Sequence, residues 1–288
     1  MAEVVVCGYA SLDLVWRAGG RPAPDRTVLL EGQVVPEPTF GGCAPNVALQ
    51  LAARGCSVGL VSWLGDDEAG RRYLARLAAA GVDLAGVVVG RGRPSPRTLL
   101  IYDPDGGCTC CFHPSGAREQ GLPEAARRRI ATARAVAVTV GPCAVTKEVL
   151  ATIPPRAMLA WNVKADPDAF PRDLRVRLLA TADLVCLSRG ELPFLAEVLV
   201  GSGGDPVRRL AETFGTTIAV TAAAEPVRVA WPGGQAQVPV WDVTAADPTG
   251  AGDAFFAGCL AACLVGADPV AAAREGAATA LRFLEARG

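Results

Sequence analysis

Asp247-Pro248-Thr249-Gly250-Ala251-Gly252-Asp253 is followed from Ala254 by an unbroken helix-forming run, so it reads as a turn that opens a long helix. Gly250, Ala251 and Gly252 carry almost no side chain, and their backbone N–H groups can close on a ligand at the positive end of that helix. The turn is therefore a receptor for an anion. Asp253 falls in the same first turn, where the helix dipole favours its ionised form. Fixed donors for developing negative charge and an acceptor for a hydroxyl proton are together what phosphoryl transfer needs. Taken alone, the stretch is equally a glycine-containing helix cap whose Asp only offsets the dipole.

Outward from this turn, strand-like and helix-like runs alternate along most of the 288 residues, which predicts an α/β fold with a mainly parallel sheet. Strands are expected at 3–8, 58–62, 135–139, 157–162, 184–187 and 217–221. Helices are expected at 46–54, 68–80, 146–153, 171–180, 191–199, 206–214, 252–265 and 269–286. Two regions, 13–35 and 84–113, hold short β-rich pieces with no helix between them. They predict a second, small sheet that folds over the strand ends of the first as a lid, or serves as a dimer arm. No linker divides the chain, so residues 1–288 read as one domain.

Composition narrows the function. The net charge is −1 with the signs interspersed, which speaks against nucleic-acid and membrane partners. Lys147 and Lys164 are the sole lysines, and GxxxxGK[ST] is absent, which argues against Schiff-base and P-loop lysine chemistry. The chain enters a short strand at Val4 without a leader-like run, and its most apolar long stretch, 254–267, is too short to span a bilayer. Ten scattered cysteines fit a reducing compartment, so a cytoplasmic protein is expected. Cys108, Cys110, Cys111 and His113 match no zinc spacing, and strand alternation divides them between two faces.

A second motif is Gly41-Gly42-Cys43-Ala44-Pro45-Asn46. Its glycines allow close approach to the backbone, and Asn46 can cap the following helix or offer an amide to a hydroxyl. Together with Val47-Ala48, Ala52-Ala53-Arg54-Gly55, Gly65-Asp66-Asp67, Gly70 and the 247–253 turn, it resembles the ribokinase family, also called the PfkB-type carbohydrate kinases. Gly8 and Asp13 match that family's first-strand pattern, and the resemblance runs over nearly the whole chain.

The resemblance implies a Rossmann-type three-layer sandwich with a β-sheet lid, in which ATP phosphorylates a hydroxyl, usually a primary alcohol, of a sugar or nucleoside. It implies Asp253 as base, Gly250, Ala251 and Gly252 as anion hole, and Asp13, Gly41, Gly42 and Asn46 as holders of substrate hydroxyls. Glu191 would meet the water shell of Mg²⁺, with Ser188 standing where an amide is usual. Thr221 and Ala223 would face the nucleotide, Ala223 replacing a glycine, and near Gly276 a polar residue usual close to the adenine is replaced. Asp247 and Thr249 would supply part of a monovalent cation site. Relatives continue past the last helix into a loop that completes that site, so weak or absent activation by K⁺ is expected. Phe112 is expected to wall the substrate, and His113 to be a lid-edge residue with no proton to move. The substrate reading is a sugar, with a nucleoside as the alternative. A silent sensor of a sugar or nucleotide is the alternative outside enzymes, and pairing of lid edges would give a homodimer.

Overall fold

The computed structural model describes residues 4–34, 37–117, 121–201, 203–241, 243 and 248–287, so Asp247 lies outside the described residues. The chain begins with β1 (Val4–Cys7), β2 (Ser11–Ala18), β3 (Leu30–Gln33), β4 (Thr39–Gly41), α1 (Cys43–Ala52), β5 (Val58–Gly65), α2 (Glu68–Ala79) and β6 (Asp83–Gly90). It continues through β7 (Arg97–Tyr102), β8 (Cys108–His113), α3 (Glu124–Ile130), β9 (Ala135–Val138), α4 (Cys143–Thr152), β10 (Met158–Asn162), α5 (Arg172–Thr181) and β11 (Leu184–Ser188). Then come α6 (Leu192–Ala196), α7 (Pro206–Phe214), β12 (Thr217–Ala222), β13 (Glu225–Trp231), β14 (Gly234–Val238), α8 (Ala251–Leu264) and α9 (Pro269–Glu285).

The large sheet has nine strands in the order β14-β13-β12-β11-β10-β9-β1-β5-β6. From β6 to β12 every pairing is parallel, and β13 and β14 add an antiparallel hairpin at the edge. Strand alternation divides the core between the two faces. Val5, Val61, Val136, Leu159, Trp161 and Val185 pack toward α3, α4, α5 and α7. Val4, Val6, Leu60, Ala135, Ala137 and Ala160 pack toward α1, α2, α8 and α9. Burial on both faces explains why β1 and β9 read as unbroken apolar runs instead of alternating ones.

Small residues bring α8 close to its neighbours. A Cβ on Gly258 would lie 2.3 Å from Thr279 Oγ1, and one on Gly276 would lie 2.4 Å from Cys259 Sγ. Gly258 and Gly276 together therefore let α8 and α9 touch, whatever the relation of Gly276 to a nucleotide.

The five-stranded sheet runs β3-β2-β7-β8, with β4 also paired to β2. It takes more of the chain at one end and less at the other than the sequence suggests. β2 begins at Ser11 and β4 joins from 39–41, whereas 83–90 pairs parallel with β5 at the edge of the large sheet, Trp63 beside Val88 and Leu64 beside Val89. The valines of β6 are the extended run that a parallel edge strand requires. Two further elements, α3 and the β13–β14 hairpin, carry no expectation from sequence. Among the described residues no helix is long and apolar enough to cross a membrane.

Candidate active site

The carboxyl end of β10 and the starts of α1 and α8 converge on Asp253, and the end of β11 is joined to them through Glu191 and Lys164. Ligands of open α/β sheets bind at such strand ends. Gly250 precedes α8 with φ of 94°, a left-handed conformation, and a Cβ there would meet Phe283 Cζ at 3.0 Å and Asn46 Nδ2 at 3.3 Å. The position is thus restricted to glycine on both counts. Ala251 N–H bends back to the Pro248 carbonyl at 3.1 Å, and Ala254 N–H bonds the Gly250 carbonyl at 2.9 Å. Ala251 is consequently engaged within the turn, while Gly252 is exposed, and nothing outside its own helix backbone and chain neighbours lies within 4 Å of where its Cβ would stand. The N–H groups of a first helical turn have no partner within the helix, so at Gly252 a bare backbone faces open space.

Asp253 is only 6% exposed. Asn46 Nδ2 donates to its Oδ2 at 2.9 Å, and Asn162 Nδ2, at the end of β10, donates to its Oδ1 at 2.9 Å. The Lys164 ammonium and the neighbouring Cys43 thiol also favour its charged form. Burial nevertheless outweighs these, and the carboxyl sits above its ordinary value. The helix dipole is therefore not what sets the protonation of Asp253. Each carboxylate oxygen keeps a second lone pair after accepting one amide. A hydroxyl arriving there finds a desolvated acceptor, which is a stronger base than a hydrated carboxylate.

Sequence reasoning missed three of these groups as site residues. Asn162 is a polar residue closing the apolar run Met158-Leu159-Ala160-Trp161, and Lys164 is one of two lysines. Both signals were visible, but nothing local ties them to Asp253. Lys164 Nζ lies 3.1 Å from Glu191 Oε1, with 48% of its side chain exposed, as suits a charge that lines a cleft with one side open. Burial works against its ammonium, but Glu191 and Asp253 hold it charged. Cys43 remains a thiol, because burial and then the charge of Asp253 push it well above its ordinary value.

Of the other expected residues, Asp13 is 5% exposed and accepts from Ser11 Oγ. A Cβ on Gly41 would lie 1.8 Å from Asp13 Oδ2, and one on Gly42 would lie 2.4 Å from the Tyr9 carbonyl. Gly41 thus lets β4 press against β2, and Gly42 lets the start of α1 press against the Tyr9–Ala10 link between β1 and β2. Phe112 packs on Tyr9 with ring centroids 4.8 Å apart and planes inclined by 44°, and Tyr9 meets Trp63 edge-on at 6.0 Å, so Phe112 belongs to a cluster of three rings. His113 is exposed and turns to Ser115 Oγ, 3.1 Å away.

Around the second loop, Ser188 donates to Glu191 Oε2 through its N–H at 2.7 Å and its hydroxyl at 2.9 Å. The Thr221 hydroxyl donates to the Leu187 carbonyl at 3.4 Å, and the Thr221 carbonyl accepts from Arg189 N–H at 2.8 Å. Ala223 turns the β12–β13 hairpin with φ of 47°, a left-handed conformation held by a residue that carries a Cβ. Tyr102, at the end of β7, shares a hydrogen bond of 2.8 Å with Thr249 Oγ1, which links the small sheet directly to the turn before α8.

Comparison with known proteins settles the family. Residues 1–288 match the family described as pfkB family carbohydrate kinase. The chain belongs to that family. An ATP-dependent ribose-1-phosphate kinase of Halopiger xanaduensis is 31% identical over 274 residues, covering 93% of this chain and 87% of that one. A fructokinase of Klebsiella pneumoniae is 31% identical over 248 residues, covering 80% and 78%. The solved nucleoside kinase of Methanocaldococcus jannaschii, an archaeal member of the ribokinase family, superposes with a TM-score of 0.80 at 18% identity. It covers 99% of this chain and 93% of that one, and it shows the fold alone. Membership makes the chain a sugar or nucleoside kinase of a pfkB family that uses ATP.

Proposed function

We propose that this kinase transfers the γ-phosphoryl of ATP to a hydroxyl, a primary alcohol, of a sugar, with Asp253 as the base. The observation that carries the reading is the buried Asp253 carboxylate, held by Asn46 and Asn162 one residue after the bare backbone of Gly252. Asn46 then acts chiefly by aiming the base, and Asp13, Gly41, Gly42 and the ring of Phe112 bound the acceptor pocket. The relatives named ribose-1-phosphate kinase and fructokinase support a sugar acceptor. A nucleoside is the second reading, favoured by the Tyr9–Phe112 pair, whose faces suit a planar base. A silent sensor would have no use for a base kept desolvated and oriented in this way.

The polyphosphate would lie along the 250–252 turn, reached from the side of Ser188, Thr221 and Ala223. Among the described residues no cluster of three metal-ligating side chains occurs, so Mg²⁺ fits as a hydrated ion carried by the nucleotide. Glu191, with Lys164 on one oxygen and Ser188 on the other, retains lone pairs for its waters. Bound there, the ion would neutralise charge on the transferred group. The chain's own part is to exclude water with the small sheet, hold the acceptor, and take its proton at Asp253. Exposed edges β3 and β8 offer a surface for pairing two copies, which sedimentation would reveal. The assay that tests the function is coupled ADP release with a panel of sugars, sugar phosphates and nucleosides. Turnover confined to nucleosides would replace the first reading with the second, and no turnover with any acceptor would remove both.

A further inference from the structure

The turn before α8 has a second side, away from the anion receptor. There Arg287 Nη1 donates to the Thr249 carbonyl at 2.8 Å, and its guanidinium lies over the Phe283 ring, 4.5 Å from the centroid. Phe283 is the same ring that comes within 3.0 Å of a Cβ built on Gly250. The Thr249 hydroxyl is meanwhile bonded to Tyr102 at 2.8 Å. Both oxygens of Thr249 are therefore taken by side chains of this chain. A backbone carbonyl beside a hydroxyl is an oxygen ligand set of the kind that hard cations select, but here the carbonyl already faces a cation. Among the described residues, the Thr249 oxygens do not fit a free monovalent ion.

We infer that the Arg287 guanidinium stands in place of a monovalent cation behind the anion-binding turn. Arg287 is then a positioning residue: it holds the Thr249 carbonyl and, through Phe283, the left-handed Gly250, and so fixes the direction of the backbone N–H groups that face the phosphates. A guanidinium suits the task because it stays charged at every working pH and stacks on an aromatic face while it donates. Phe283 lies in the last turn of α9 and Arg287 in the turn just past its end, where Arg287 N–H bonds the Leu284 carbonyl at 3.0 Å and so brings the guanidinium back over the ring. The positive charge also lies where it adds to the helix dipole of α8 in favouring an anion.

The inference rests on the kinase reading only where turnover is the readout, so the test has two arms. In the first, crystals of the wild-type protein and of Arg287→Ala are soaked in Rb⁺. The expected result is no ion at the Thr249 carbonyl in the wild type and an ion there in Arg287→Ala; Rb⁺ on that carbonyl in the wild type, with Arg287 displaced, would overturn the inference whatever the enzyme's substrate. In the second, turnover is compared in KCl and in choline chloride. The wild type should differ by less than about twofold, whereas Arg287→Ala in choline should lose about tenfold to a hundredfold, the worth of one hydrogen bond to a charged group. K⁺ or free guanidinium should restore much of that loss, which a merely structural arginine would not allow. Arg287→Lys, which keeps charge but loses the stack, should fall between the two. A wild type strongly activated by K⁺, or an Arg287→Ala protein that folds normally and equals the wild type in choline, would refute the assignment. If Arg287→Ala fails to fold, the wild-type Rb⁺ and K⁺ measurements still decide it.

Discussion

Asp253 accepts from the amides of Asn46 and Asn162, with the Cys43 thiol and the Lys164 ammonium favouring its charge, whereas the loops at Ser188 and Ala223, proposed to face the nucleotide, bond mostly within themselves and lie more exposed. On the proposed reading, the acceptor half is organised before any ligand arrives, while the donor half is a backbone surface that a nucleotide would complete. The contrast fits the chemistry. A base must be aimed within tenths of an ångström at a hydroxyl, but a polyphosphate can be gripped by any row of N–H groups near a helix start. Substitutions in the first half should therefore act on kcat, and those in the second on nucleotide KM or on stability.

The largest effect is expected at Asp253 itself. Asp253→Asn should lower kcat by about a hundredfold to ten-thousandfold, the usual weight of one positioned base, and change nucleotide KM little. Its melting temperature should stay close to that of the wild type. Burial raises this carboxyl, so its contribution to stability is present at pH below the unfolded value and is gone once pH rises through the folded value. The charge removed at neutral pH was not stabilising the fold. A large fall in melting temperature would mean that Asp253 is a structural cap.

Asn162→Ala comes next. It leaves Asp253 Oδ1 without its amide donor at 2.9 Å, and the loss of one hydrogen bond to a charged group predicts about a tenfold to hundredfold fall in kcat. Ser188→Ala, measured alongside, should raise nucleotide KM and leave the kcat of the acceptor half nearly untouched; equal kcat losses in both would erase the distinction between the halves. The smallest effect belongs to Ala223→Gly. Relief of a left-handed Cβ-bearing residue should stabilise the protein by about 1 kcal/mol in denaturant unfolding, with kcat unchanged. A destabilised Ala223→Gly protein would show that the hairpin turn is not strained.

How much of this could be read from the chain depends on distance along it. The 250–253 turn and the Gly41-Gly42 pair are local devices, and local rules recovered them together with the alternation that builds the parallel sheet. Asn162 lies 91 residues from its partner Asp253, and Asn46 lies 207 residues away. The first is delivered by the register of β10 between β9 and β11, and no short-range pattern encodes that. Lys164 was weighed only for mechanisms it does not serve. Residues 84–90 read as part of the small sheet because no helix separates them from β7, although the valine run of β6 belongs to a parallel edge. The alternating run from Glu225 to Val238, broken at Pro232-Gly233, was a legible hairpin signal that went unused.

The central claim is that a buried carboxylate, tuned by its neighbours, is the base. It is tested most directly by the pH dependence of kcat/KM for the acceptor at saturating nucleotide, in the wild type and in Lys164→Met. Activity should fall on acidification as Asp253 protonates, and burial places that fall above the ordinary carboxylate range. Lys164 works in the opposite direction by stabilising the charged form, so its removal should move the acid limb to still higher pH. An acid limb that stays in place or moves to lower pH in Lys164→Met would contradict the account.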